Sequence, residues 1–319
     1  MKVRSVFFFL LCTGLLSCEK EFSDVFITDP FYEINDTAWA VSIPENAPVN
    51  DLPGILGEAA NTATFTYSGA ATTVVAINDS QRLYIAPEVL LVSNSPVTVN
   101  ARITQLKTRG EFVGSGRVSN SYIELMDAAS MFNIAFNVNG NTVAIKPGKA
   151  VVFVYKSRSA SPVSRKVFYD TLFGPVYHTW DASNDGISRV LYTGSKDSVT
   201  FRKTANWIAP GTILDTTGMT WSKVQVVLPP NFTNKNTAVY AVYKNYSVVV
   251  SLQADRTSRL FNGIKLYTGQ PVKLVALSKI DNQLYYAEKE ITLPDAVTLK
   301  LTPEQKSKPD IQLALKNLY

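Results

Sequence analysis

Proton transfer near neutral pH is the natural task of histidine, and this chain has one: His178, in Gly174-Pro175-Val176-Tyr177-His178-Thr179-Trp180. A serine hydrolase would set that imidazole between a nucleophile and a carboxylate. Asp181 and Asp185 follow closely, but no Gly-x-Ser-x-Gly turn lifts a serine out of the backbone. His178 therefore reads as a hydrogen-bonded imidazole in an aromatic loop or at a strand edge. Just beyond it, Asp181-Ala182-Ser183-Asn184-Asp185-Gly186 imitates the first half of a calcium loop, yet Tyr192 stands where the bidentate carboxylate belongs. A tight polar turn with Gly186 at positive φ accounts for the same residues, with a weak extracellular calcium site as the lesser alternative. Paired glycosidase carboxylates have no local signature, and the spacing of the acids singles out no pair. The expectation is a non-enzymatic chain with no catalytic residue, no metal site and no cofactor.

The two cysteines point to different chemistry. Lys2 and Arg4 precede an apolar run from Val6 to Leu16, too short to span a bilayer as a stable helix and organised like a signal peptide. The run ends in Leu15-Leu16-Ser17-Cys18, which resembles the bacterial lipobox. The resemblance implies cleavage after Ser17 and acylation of Cys18 with palmitate-type chains, the thiol being the nucleophile. An ordinary secretory peptide with an incidental cysteine is the alternative. Each buried methylene contributes about 0.8 kcal/mol, so two or more chains hold a protein to a membrane almost permanently. Cys12 leaves with the signal peptide, so the mature chain would have neither a free thiol nor a disulfide, and its stability would come from packing.

With 319 residues, 46% of them hydrophobic and 18% charged, the chain has the composition of a globular protein of about two domains. Its formal charge of +5 includes Lys2 and Arg4, and falls to +3 without them. The basic residues lie in scattered pairs such as Lys146 and Lys149, so nucleic acid is not an expected partner. Tyr240, Tyr243, Tyr246, Tyr267, Tyr285 and Tyr286 gather near the C-terminus, where they are expected mainly in sheet packing, with a recognition platform as the alternative. Asp36-Thr37-Ala38, Asp170-Thr171-Leu172, Asp197-Ser198-Val199 and Asp215-Thr216-Thr217 match a short O-glycosylation pattern of exported bacterial proteins and mark Thr37, Thr171, Ser198 and Thr216 as candidate sites.

These residues must be held by strands. Ala63, Phe65 and Tyr67 alternate with threonines, as do Val97, Val99, Ala101 and Ile103 with polar residues, so each segment has one wet and one dry face. Asn139-Gly140 predicts a type I′ hairpin. Ala150 to Tyr155 is a continuous apolar run, read as a strand buried on both faces. Val224, Val226 and Leu228 alternate; further strands are expected over 237–244, 247–253, 271–277, 283–290 and 296–301, with turns at Asn262-Gly263 and Asp281-Asn282. One helix is expected, after Pro309-Asp310, with Ile311, Leu315 and Leu318 on one stripe. The fold class is all-β: residues 1–17 a signal peptide, 18–61 a lipidated tether and irregular segment, 62–230 a β-sandwich, and 231–319 a second β domain with the terminal helix.

Arg82 to Pro87, Val97 to Glu111, Met131-Phe132, Asn139-Gly140 and Pro147-Gly148-Lys149 together resemble the core of Bacteroidota-type surface lipoproteins, which contain a sandwich similar to that of zonula-occludens proteins and netrin receptors. Where that family has Ser-Asn-Gly, this chain has Ser119-Asn120-Ser121. The resemblance brings no catalytic motif with it. Together with Glu19-Lys20-Glu21 after Cys18, it implies an outer-membrane protein anchored by its acyl chains and displayed at the cell surface. The expected role is adhesion, scaffolding or partner binding, with a glycan-binding accessory lipoprotein of an uptake system as the alternative and a hydrolase as a third class.

Overall fold

The computed structural model of the protein describes residues 38–93, 95–120, 124–156, 164–173, 177–193, 195–204 and 206–319, which form one compact unit. The first sandwich consists of β1 (Asn61–Tyr67), β2 (Thr73–Asn78), β3 (Gln81–Ile85), β4 (Val97–Leu106), β5 (Met126–Ala128), β6 (Met131–Val138), β7 (Asn141–Val143), β8 (Val151–Lys156), β9 (Lys166–Phe173), β10 (Tyr177–Ala182), β11 (Arg189–Thr193), β12 (Lys196–Phe201) and β13 (Trp207–Ile213). They pair antiparallel into two sheets, β1-β4-β6-β13-β9-β10 with β5 and β7 attached, and β11-β12-β8-β3-β2. Period two decides what meets between the sheets. Val99, Ala101 and Ile103 of β4 and Phe132, Ile134 and Phe136 of β6 share one buried cluster with Leu83, Ile85, Val151, Phe153 and Tyr155. Phe132 packs edge-on against Phe153, centroids 5.2 Å apart. Asn139 and Gly140, at φ 49° and 81°, close the β6–β7 hairpin with Val138 opposite Asn141, the positive-φ pair that a type I′ turn requires.

The second sandwich uses β14 (Lys223–Val227), β15 (Thr237–Tyr243), β16 (Val249–Ser251), β17 (Gln253–Asp255), β18 (Leu260–Gly263), β19 (Pro271–Ile280), β20 (Gln283–Thr292), β21 (Ala296–Lys300) and β22 (Glu304–Gln305). Its sheets are β17-β18-β14-β21 and β16-β15-β19-β20-β22. Asp281 and Asn282, both at positive φ, turn β19 into β20. Strand β14 is antiparallel to β18 and parallel to β21.

Strands β15 and β19 are apolar on both faces, and this shapes the whole molecule. Val239, Ala241, Leu274 and Ala276 face Val224, Val226 and Phe261 across the second sandwich. Tyr240, Val242, Val275 and Leu277 turn the other way, into a cluster with three short helices and with Met131, Phe168 and Trp180 from the back of the first sandwich. The helices are α1 (Leu52–Leu56), α2 (Arg109–Gly114) and α3 (Lys308–Lys316). Thr108 caps α2 in a capping box with Glu111, its hydroxyl accepting the Glu111 N–H at 3.1 Å. The Arg109 guanidinium donates to the carbonyls of Tyr243, Lys244, Tyr246 and Tyr319 at 2.7–2.9 Å, tying α2 to the end of β15 and to the chain three residues past α3. The two sandwiches thus share a middle layer of apolar side chains.

Several expectations change. Helices α1 and α2 join the single helix anticipated near the C-terminus; α3 starts from Ser307 and buries Ile311 and Leu315. Strand β8 lies mid-sheet, but only Val151, Phe153 and Tyr155 are buried. Val152 and Val154 are half-buried on an outer face they share with exposed Val74 and Leu191, because no layer covers that face among the described residues. Asn262-Gly263 is not a turn: it ends β18, paired with Gln225 and Val224, and the chain reverses instead around Arg259 at φ 55°. Pro229 to Asn236, where the sequence suggests a boundary, is a hydrogen-bonded turn. Phe232 and Thr233 there are buried, and the Asn234 side chain exchanges two hydrogen bonds with the Ala40 backbone. Strand β14, before that turn, pairs with β18 and β21 after it.

Candidate functional site

Cys18 and Thr37 lie outside the described residues. His178 falls on β10, at the edge of its sheet, opposite Leu172, and its side chain is also outside the described residues. The loop after β10 is closed by Asp185: one carboxylate oxygen accepts the N–H groups of Ile187 and Ser188 at 2.8 and 2.6 Å, the other the Ser188 hydroxyl at 2.7 Å, and Gly186 sits at φ 69°. Burial opposes ionisation of Asp185, but the hydrogen bonds from Ser188 and Ile187 outweigh it and hold the carboxyl at about 2. Its lone pairs serve the turn. Among the described residues no group of three His, Cys, Asp or Glu side chains gathers as metal ligands would.

The candidate glycosylation residues sit on well-anchored backbone. Thr171 is exposed on β9, next to Asp170, which pairs with Arg117 at 3.0 Å. Ser198 is half-buried on β12, next to buried Asp197, which pairs with Arg165 at 3.3 Å. Thr216 is half-buried in a turn where Asp215 accepts the Thr217 N–H at 3.0 Å. In these three triplets the acid is a structural group and does not reach out to a ligand.

The tyrosines mostly answer to packing. Tyr240, Tyr243, Tyr267 and Tyr286 are buried, Tyr246 and Tyr285 half-buried. Burial raises the Tyr240 phenol to about 12, with Arg117 opposing, and pushes Tyr243 up as well.

What the sequence reading passed over is Trp221. Its indole is 54% exposed and stacks on the buried Tyr267 ring, centroids 4.5 Å apart and planes 23° from parallel. The stack is pinned from the backbone: Ser222 N–H donates to the Leu266 carbonyl at 2.7 Å, Thr268 N–H to that of Thr220 at 3.0 Å, and Tyr267 N–H to the Tyr243 hydroxyl at 3.2 Å. Because Ser222, Val224 and Val226 point inward, Trp221, Lys223 and Gln225 share the outer face of the β17-β18-β14-β21 sheet. Register then aligns one polar side chain per strand across that face: Gln253, Asn262, Gln225 and Thr298. Gln225 donates to Asn262 at 3.3 Å and accepts from the Thr298 hydroxyl at 3.1 Å.

Between the indole and this polar row lies a trough of about 710 Å³. Its floor is low where exposed Ala296, paired with outward-facing Lys223, stands beside β14. Gly263, paired with Val224, faces inward: a Cβ there would stand 2.4 Å from the Leu266 side chain and 3.1 Å from that of Val224, so glycine lets β18 close on the core. Lys265 lines one side, its ammonium pKa drawn down by burial with Glu124 opposing. The arrangement offers a flat apolar ring, the side chains of Ile264 and Val297, a row of amide and hydroxyl donors and acceptors, and two lysines, Lys223 and Lys265.

The chain matches no family model, no curated protein and no solved structure.

Proposed function

We propose that this is a non-enzymatic envelope protein, anchored to the outer membrane by acyl chains on Cys18 and facing outward, whose stacked β modules present a surface for adhesion, scaffolding or partner binding. The observation that carries the reading is the outer face of the second sandwich, where the exposed Trp221 indole stacks on Tyr267 beside the Gln225, Asn262 and Thr298 side chains. The stacked sheets add support, since a rigid β scaffold with short loops suits display. Among the described residues no helix is long and apolar enough to cross a membrane, and the lipobox resemblance at Leu15 to Cys18 supplies the anchor.

Metabolic labelling with an alkynyl fatty acid tests the anchor, and protease treatment of intact cells tests the orientation. The expected outcome is a labelled parent, an unlabelled Cys18→Ser variant, and loss of the parent from intact cells on protease treatment. Label persisting in Cys18→Ser would overturn the anchoring.

A further inference from the structure

We propose that the trough between Trp221 and the Gln225–Asn262–Thr298 row binds a short oligosaccharide, an inference that rests on the binding-protein reading and gives it an occupant. The exposed indole, backed by Tyr267 at 4.5 Å, is a rigid apolar platform. The C–H face of a pyranose packs on such a ring, which orders few rotatable bonds in doing so. At the other end, Gln225 and Asn262 are planar amides that keep N–H donors beyond their mutual bond, and the Thr298 hydroxyl keeps accepting capacity. Sugar hydroxyls donate and accept at once, and a row alternating donor and acceptor suits them better than it suits an apolar peptide face.

The spacing agrees. Trp221 and Gln225 are four residues apart on one extended segment, about 13 Å at about 3.3 Å per residue, so one ring cannot touch both ends while a short chain of rings can. The low floor at Ala296 leaves room for the linking residue, beside the exposed Lys223. Ile264 and Val297 add apolar wall beside the indole, so the trough joins an apolar floor to a rim of amide, hydroxyl and lysine, as the two-sided surface of a sugar ring requires.

Native gels cast with xylan, pectin, starch, laminarin or mucin, run with the detergent-solubilised full-length protein, test this. The expected result is retardation in at least one gel. Trp221→Ala and Asn262→Ala should each weaken the apparent affinity at least tenfold, as loss of a central aromatic or buried-row contact does. Trp221→Phe should retain part of it, and Leu313→Ala, 60% exposed on α3, all of it. Thermal melting of each variant separates lost binding from lost fold, and if Trp221→Ala melts early, Trp221→Phe and Asn262→Ala decide. Migration unchanged in all five gels, or retardation that survives both Trp221→Ala and Asn262→Ala, would overturn the proposal. Fatty-acid labelling is independent of the gel result, so failure of the anchor and failure of the glycan site are told apart.

Discussion

Replacing Gly110 by alanine should loosen the layer that joins the two sandwiches. Gly110 is buried at the second position of α2 and lies directly against α3. A Cβ there would stand 1.8 Å from the Leu315 carbonyl oxygen and 2.5 Å from its carbon. Both are backbone atoms, so no side-chain rotation relieves the clash, and the helices must part by on the order of 1.5 Å to regain ordinary van der Waals contact. Overpacking of this kind costs up to about 3 kcal/mol, and the better helix propensity of alanine returns up to about 1 kcal/mol, leaving a net loss of about 2 kcal/mol. Gly54→Ala is the matched control, because Gly54 lies in α1 with nothing within 4 Å of its would-be Cβ. That variant should gain about 0.5–1 kcal/mol. Urea unfolding followed by tryptophan fluorescence reads both, since Trp180 belongs to the same buried layer. If Gly110→Ala unfolds at the urea concentration of the parent, with the same slope, α2 and α3 do not meet as described and the shared core is wrong.

Gly140→Val should destabilise the protein by roughly 1–3 kcal/mol, since φ at 81° resists a β-branched side chain even though the space around it is open; an unchanged melting temperature would refute the turn. Asp185 has a folded-state pKa below its unfolded value, so its contribution is fully present above the ordinary carboxylate pKa of 3.8 and is lost as pH falls through about 2. The stability gap between the parent and Asp185→Asn should therefore shrink over that window, measured by denaturant unfolding at stepped pH, and a constant gap would contradict the turn's hydrogen bonds. Burial raises Tyr155, Tyr240, Tyr243 and Tyr286, so the stability they contribute is complete below pH 10 and lost at higher pH as they ionise. Phenolate absorbance should rise in two stages, the second coinciding with loss of circular dichroism; a single stage near pH 10 with the fold intact would show these rings to be exposed.

The parts of the fold readable from sequence are those fixed locally. Asn139-Gly140 and Asp281-Asn282 force turns because few residues tolerate their φ angles, and the alternation in β4 sorts Val99, Ala101 and Ile103 inward whatever their partners are. The capping box at Thr108 to Glu111 is equally local and announces α2, but the strand reading of the flanking residues obscures it. Sheet packing of the tyrosines is expected from sequence, but not their partners: Tyr240 shares its buried layer with α1 and α3, elements remote in sequence. The same holds for β8: its apolar run says that both faces avoid polar groups, without saying that one face stays uncovered. Trp221 had a signal. The alternation that turns Val224 and Val226 inward places Trp221 outward with Gln225 when extended back along the strand. Its partners, Asn262 and Thr298, reach it only through register, and no single-strand pattern carries that.

The parallel pairing of β14 with β21 imposes a birth order on the molecule. Gln225 and Thr298, neighbours in the trough, are separated by 73 positions of chain, so the second sandwich cannot close until β21 has emerged. The first has all its strands once Ile213 is made. In the interval its back, with Leu106, Met131, Phe168 and Trp180, waits uncovered for β15, β19 and α3. A chain that has emerged only that far is half folded, with a broad greasy face of the kind that chaperones hold and that aggregates when they do not. Substitutions in α3 would thus lower the yield of folded protein more than they lower the stability of the molecules that do fold.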